Sequence, residues 1–372
     1  MLIVGAGFAG LSTAYHLAKN GVKNIVVLEK ENKLGGHASG RNAGMIRQAV
    51  ADPALAVMAI EGAQALRKAE ANGWNLDYSQ TGALFLSDAQ GKKGLEAIRR
   101  TLTSQKVRSL YLSQAQGAKR VRILSGADFS TALFCPSDAK LDIEKLLRAF
   151  LSQLKKMNVR ILLGHEILSV KKNGRLFKIR TGRAVFESEI LVNAAGAWAT
   201  SLAQMAGASR MPLKAYRRHL FESSGFKDFK STWPYVWHLD QNFYFRPLKK
   251  ELLLSPCDKT LCKVGRHSKN QSGEAIDPSL KQQLLKKMSR FSSNFKDLKL
   301  GKAKSGLRTM APDGRFVIGQ DPKLSGFYWA AGLGGHGVTT SFSVGRLTAD
   351  LILEKKVDAG LAAALSPRRF KI

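Results

Sequence analysis

Cysteine is nearly absent, with Cys135, Cys257 and Cys262 the only three in 372 residues, and four residues separate the one close pair. That excludes a disulfide framework and the two-residue spacing of a zinc or redox motif, so no metal site is expected and a reducing compartment fits. Acids are scarce too: 28 Asp and Glu stand against 59 Lys and Arg, for a formal charge of +31. Long apolar runs are also missing. Crossing a bilayer takes about 20 nearly uninterrupted apolar residues, and the most apolar stretch, 190–208, is broken by Asn193, Thr200, Ser201 and Gln204. No basic leader precedes Met1-Leu2-Ile3-Val4, so a soluble, unexported, cytoplasmic protein is expected.

What is present is a globular composition, 44% hydrophobic and 23% charged, with ample apolar surface to offset chain entropy. The length predicts about two domains. The positive charge is a property of the whole chain: 90–122 holds nine basic residues and one acid, 155–183 nine and one, and 281–304 eight and one. Such a field attracts polyanions, which admits tRNA, other nucleic acid or peripheral contact with an anionic membrane. Aromatic residues are not interleaved with these runs as a base-stacking platform needs, so a solvated basic surface is the expectation.

Leu2 to Val4, the turn Gly5-Ala6-Gly7-Phe8-Ala9-Gly10 and the helical spacing of Leu11, Ala14, Tyr15, Leu17 and Ala18 read as strand, tight turn and helix. Ile25 to Leu28 forms a second buried strand ending on Glu29 and Lys30, which completes a βαβ start. Gly5 permits the sharp turn, Gly7 lets a pyrophosphate approach the backbone, and Gly10 allows close helix packing. Glu29 stands where a carboxylate accepts from ribose hydroxyls and repels a 2′-phosphate, favouring FAD or NAD over NADP.

A second small-residue loop follows, with Gly36, His37, Ser39, Arg41, Asn42, Ala43 and Gly44 as candidate contacts to an extended cofactor. Ser39 and Arg41 read equally as loop anchors. Two later strands enter glycine turns: one offers Ala195, Gly196 and Trp198, the other Gly334, Gly335, His336 and Gly337. Together these loops select FAD. Residues 81–87, 215–222 and 242–254 read as strands, largely antiparallel, and 54–71 and 142–157 as amphipathic helices. The expected α/β fold is a Rossmann-like FAD-binding domain assembled from discontinuous segments (1–79, 138–208, 302–372). An α+β substrate domain with a mixed, largely antiparallel sheet (80–137, 209–301) interrupts it.

The chain resembles, almost end to end, the D-amino-acid-oxidase-type superfamily of FAD oxidoreductases, which includes glycine, sarcosine and D-amino acid oxidases and dehydrogenases. The resemblance lies in 191–198 (Leu-Val-Asn-Ala-Ala-Gly-Ala-Trp), Leu239-Asp240 with Phe243-Tyr244, Gly306-Leu307-Arg308, Ala311 with Asp313-Gly314, and 365–369 (Leu-Ser-Pro-Arg-Arg). Within the superfamily the chain is most similar to the D-arginine dehydrogenases. The resemblance implies a carboxylate clamp of Arg308, Arg218 and Tyr244. Strand alternation agrees in setting Tyr216, Arg218 and Leu220 on one face, although a one-residue slip would present Arg217. The competing reading has Arg308 or Arg218 pairing a structural acid.

The sequence also departs from the family. No acid stands at Gly82 or Ala83, where a D-arginine side chain would find its partner. Gly306-Leu307-Arg308 precedes Thr309-Met310-Ala311-Pro312-Asp313, where sarcosine oxidases carry a flavin-linking cysteine. FAD is therefore expected to be non-covalent. The activity implied is an amino acid dehydrogenase or oxidase: hydride passes from the α-carbon of a small D-amino acid, glycine or N-alkyl glycine to flavin N5. The imine then hydrolyses to a 2-oxo acid and ammonia, or to an aldehyde and an amine. O2, a quinone or an electron-transfer protein takes the electrons. His336, and less so His219, are candidates to tune the flavin or accept a proton. The alternatives are an oxidase of a glycine-like tRNA modification and a non-catalytic flavin-binding protein.

Overall fold

The computed structural model describes residues 1–88, 91–224, 229–265 and 276–371. Leu2–Val4 is uniformly apolar and buried, as a strand covered on both faces must be. It pairs in parallel with Val26–Leu28 on one side and Leu191–Asn193 on the other. Arg160–Leu162 and Phe327–Ala331 continue the parallel array, and Val317–Gln320 closes one edge antiparallel. The parallel strands all end on the same side. The turns that follow Val4, Leu28, Asn193 and Ala331 therefore meet along one rim, as carboxyl-end crevices do in open α/β sheets.

Helices cover one face of this sheet. Phe8–Lys19, Pro53–Ala71, Ile143–Lys156 and Ser341–Ile352 bury Leu11, Leu66, Phe150 and Leu347 in a common core with Ile3 and Val27. Asp52 caps the second helix by accepting from Leu55 N–H at 3.0 Å, with Pro53 in the first turn, and Asp142 caps the third through Glu144 and Lys145 N–H. On the opposite face, Ala199–Ala206 and a three-stranded antiparallel sheet (Ile167–Asn173, Leu176–Thr181, Val185–Ser188) bury Leu202, Val170 and Phe177. That small sheet was not anticipated from the sequence.

The second large sheet orders Thr260–Cys262, Lys214–Ser223, Glu251–Ser255, Phe243–Leu248, Tyr235–His238, Ala83–Ser87, Thr131–Cys135 and Leu110–Ser113, with Leu300–Met310 also paired to Lys214–Ser223. The expected strand at 242–254 is a hairpin that turns over Lys249, whose φ is 52°. The strand expected from 81 begins at Ala83, because Gly82 is left-handed at φ 78°. Leu300–Met310 straddles the boundary expected between 301 and 302 and runs in the sheet of the substrate side. One face of this sheet packs Leu84, Phe243, Phe245 and Leu254 against Leu284, Met288 and Phe291 of the helix Pro278–Phe291. The other presents Leu220, Tyr244 and Leu253 toward Ala43, over the rim of the first sheet.

Candidate active site

The first glycine turn is built by contact. Gly5 adopts φ 105°, and a Cβ there would lie 2.3 Å from the Ala194 carbonyl oxygen. A Cβ on Gly10 would sit 1.9 Å from the Gly5 carbonyl oxygen, so only glycine lets helix and strand approach this closely. Glu29 fastens the turn: its Oε2 accepts from Ala6 N–H at 2.9 Å and its Oε1 from Glu31 N–H at 3.0 Å. Each oxygen retains acceptor capacity toward the cleft. Beside it, Lys30 Nζ lies 3.3 Å from the Trp198 ring centroid, and the His37 ring packs 4.5 Å from Trp198.

The second loop is pinned from several sides. Ser39 Oγ accepts from Phe8 N–H at 3.0 Å, Arg41 Nε donates to the Gly36 carbonyl at 2.7 Å, and Asn42 Oδ1 accepts from Gly44 N–H at 2.9 Å. Arg246 reaches across from the large sheet to donate through Nε to the Ala43 carbonyl, and burial pushes its guanidinium down to about 10. Ser39 and Arg41 therefore do anchor this loop.

At the far end, alternation in Lys214–Ser223 sends Arg218 into the cleft while the buried Arg217 donates to Ser305 Oγ at 3.0 Å. Across the antiparallel pair, Tyr216 faces Arg308 and Arg218 faces Gly306, which makes the two arginines diagonal neighbours on one face. Tyr244 is buried beside them, 4.9 Å from the Trp237 ring. Among the described residues the Arg308 guanidinium bonds to no protein group, and its Nε is buried without a partner. Burial and the neighbouring Arg218 push it down to about 10. Arg218 Nε donates to the Asp258 carbonyl at 2.7 Å. His219 faces away, its Nδ1 2.8 Å from Asp258 Oδ2.

His336 sits on the last glycine turn, tied to the Arg308 strand by Gly334 N–H donating to the Thr309 carbonyl at 2.9 Å. Arg47 Nη2 approaches His336 Nε2 to 3.0 Å. Burial, then Arg47, then Arg308 hold the imidazole well below its usual value.

Glu29, Lys30, Ser39, Arg41, Trp198, Arg218, Tyr244, Arg308, Arg47 and His336 line one cleft of about 400 Å³. A family model described as FAD dependent oxidoreductase (DAO) matches residues 1–351. The chain belongs to the DAO family. It is 25% identical over 365 residues to the mouse (Mus musculus) mitochondrial pyruvate dehydrogenase phosphatase regulatory subunit, covering 94% of this chain but 41% of that protein. It is likewise 25% identical to monomeric sarcosine oxidase of Bacillus sp. (strain NS-129), covering 96% and 94% of the two chains. In fold it matches L-proline dehydrogenase from P. horikoshii at a TM-score of 0.88 and 21% identity, over 100% and 97% of the two chains.

The cleft of this DAO-family chain fits FAD by its own chemistry. The Phe8–Lys19 helix opens onto it with its N-terminus, Glu29 offers acceptors beside the turn, and Gly334 and Gly335 bring backbone to its wall. Of the residues expected to hold cofactor or substrate, all line it except Gly10 and Gly44, which act beneath it through close packing. Sequence reasoning missed Arg47 and Trp237, and set Arg246 on the face of Tyr244 without seeing its tie to the second loop. Arg47 lies two residues beyond Met45 in the strand Met45–Ile46 and its continuation, opposite the buried Ile46, so alternation after the second loop was the available signal. The Arg47 guanidinium stacks 4.5 Å from the Trp237 ring centroid. Among the described residues no helix is long and apolar enough to cross a membrane.

Proposed function

We propose that this flavoenzyme oxidises the C–N bond of a small amino acid at its α-carbon, with Arg308, Arg218 and Tyr244 holding the substrate carboxylate. The carrying observation is the Arg308 guanidinium, which faces the cleft with no protein partner and a buried, unbonded Nε. A buried cation left unpaired costs several kcal/mol, and a planar carboxylate satisfies the fork bidentately. FAD, when bound, supplies the two-electron acceptor. The protein's groups supply placement. Arg308 and Arg218 grip the carboxylate, and Tyr244 adds a hydroxyl from the neighbouring strand. Their positive field disfavours the ammonium form of the substrate, so its amine is held neutral with a free lone pair. The neutral His336 completes the wall.

Segments 1–79, 138–208 and 302–372 serve the cofactor and 80–137 and 209–301 the substrate, except that 302–310 carry Arg308 into the substrate sheet. FAD is held without a covalent bond, since Gly306 has no side chain to link. The test is an anaerobic screen of D- and L-amino acids, glycine, N-methylglycine and proline for bleaching of the flavin band. Reduction by one or more amines is the expected result. A flavin that no amine bleaches would leave a binding protein without this activity.

A further inference from the structure

We propose that the substrate carries two carboxylates, one held by Arg308 and Arg218 and the second by Arg47. The inference rests on the amine-oxidising reading above and deepens it. Three guanidinium groups line the substrate end of the cleft and come from different places in the fold. Arg218 and Arg308 stand on paired strands of the large sheet, and Arg47 follows the second glycine loop.

Among the described residues none of the three makes an ion pair with an acid: Arg308 bonds to nothing, the Arg218 side chain gives Nε to the Asp258 carbonyl, and the Arg47 side chain gives Nη2 to His336. The Nε and Nη1 of Arg47, whose guanidinium lies over the Trp237 ring, have no partner among the described residues and can donate to a second anion.

Neighbouring acids act on these cations only through space, Asp138 on Arg47 and Asp258 on Arg218 and Arg308, with no carboxylate–guanidinium hydrogen bond among the described residues. Asp258 gives both carboxylate oxygens to His219, through its N–H at 2.9 Å and Nδ1 at 2.8 Å. Asp138 accepts from Gln48 N–H, Cys135 Sγ and Tyr235 Oη, and burial raises it to about 6. Neither lines the cleft. The acids that do, Glu29 and Glu166 among the described residues, belong to the first glycine turn and to the segment hydrogen-bonded to it through His165. One substrate carboxylate would leave guanidinium groups in the cleft without a direct acid partner, whereas two carboxylates reach both Arg308 with Arg218 and Arg47. The same arrangement repels a cationic side chain, which argues against arginine as substrate. Two sources share the dicarboxylic chemistry: an amine flanked by two carboxymethyl-type groups, and an amino acid with an acidic side chain.

The test titrates the flavin absorbance of the holoenzyme with unreactive anions: acetate and methoxyacetate against oxydiacetate and glutarate. The dicarboxylates are expected to bind at least about tenfold tighter. Arg47→Met should weaken dicarboxylate binding at least about tenfold more than monocarboxylate binding, and Arg47→Lys should keep part of the advantage. Equal affinities on the wild-type enzyme would overturn the proposal, as would an Arg47→Met that weakens both classes alike. If Arg47→Met loses flavin, the wild-type comparison and Arg47→Lys still decide. Iminodiacetate against D- and L-aspartate and glutamate, scored by flavin bleaching, separates the two sources. Dicarboxylate preference without bleaching by any amine would keep the anion site and remove the oxidative reading. Bleaching by monocarboxylic amines without that preference would do the reverse.

Discussion

Arg47 and His336 stand 289 positions apart in the chain, yet Nη2 of one lies 3.0 Å from Nε2 of the other. The arginine fixes the protonation of the histidine: a ring nitrogen that accepts from a guanidinium, in a buried site, must be unprotonated. The fold thereby places a neutral, oriented imidazole beside a cluster of cations.

This relationship sets a pH dependence of stability. The folded-state pKa of His336 lies well below the ordinary 6.5, so the unfolded chain takes up a proton that the folded one does not. Its contribution is fully present above that unfolded value and is lost as pH falls below it. From pH 7 to 5 the unfolding free energy should fall by up to about 2 kcal/mol from this one group, read as a lower thermal midpoint. His336→Gln should flatten the slope without abolishing it, because His16, which burial pushes down to about 4, acts in the same direction.

Arg308→Ala should lower kcat/KM by about a hundredfold or more, the scale of losing a charge-assisted fork to a carboxylate. Flavin content should stay at the wild-type level. Steady-state kinetics with the best amine from the screen, alongside the absorbance ratio of flavin to protein, reads both. Unchanged kinetics would remove Arg308 from the site.

Gly10→Ala should yield colourless protein. The added Cβ would meet the Gly5 carbonyl oxygen at 1.9 Å, a backbone atom that cannot swing away, so helix and turn must part and the phosphate cradle opens. Flavin occupancy after purification is the measurement, and a yellow variant with wild-type occupancy would refute the cradle.

Acid precipitation of the wild-type protein should leave a yellow supernatant and a white pellet. Colour retained in the pellet would contradict non-covalent attachment.

Arg246→Met should weaken cofactor retention more than overall stability. Its guanidinium binds the Ala43 carbonyl, and without it the second loop loses its tie to the substrate sheet. Isothermal titration of apoprotein with FAD would show this as a raised Kd, by about tenfold for one charge-assisted bond.

Much of the site was legible because glycine turns report their own geometry. Gly5, Gly7 and Gly10 after three apolar residues, with Glu29 closing the next strand, require a strand, turn and helix whatever the remaining chain does. The face of Arg218 followed from alternation in the same way, and Arg217 does point elsewhere. Trp237 was not legible, because its parallel pairing with Ala83–Ser87 depends on contacts far away in the chain, and Arg47 was signalled only by alternation beyond a two-residue strand.

By itself the sequence determined local conformation: where the backbone turns sharply, which faces are apolar, and which groups are able to bind an anion. Tertiary structure alone decided that Arg47, Arg218 and Arg308 line one cleft, and that the carboxylates of Asp258 and Asp138 bond other groups. Periodicity is a property of neighbouring residues and is written into the chain. Pairing across strands from distant segments follows from burying both large sheets at once, and no short stretch of sequence encodes it.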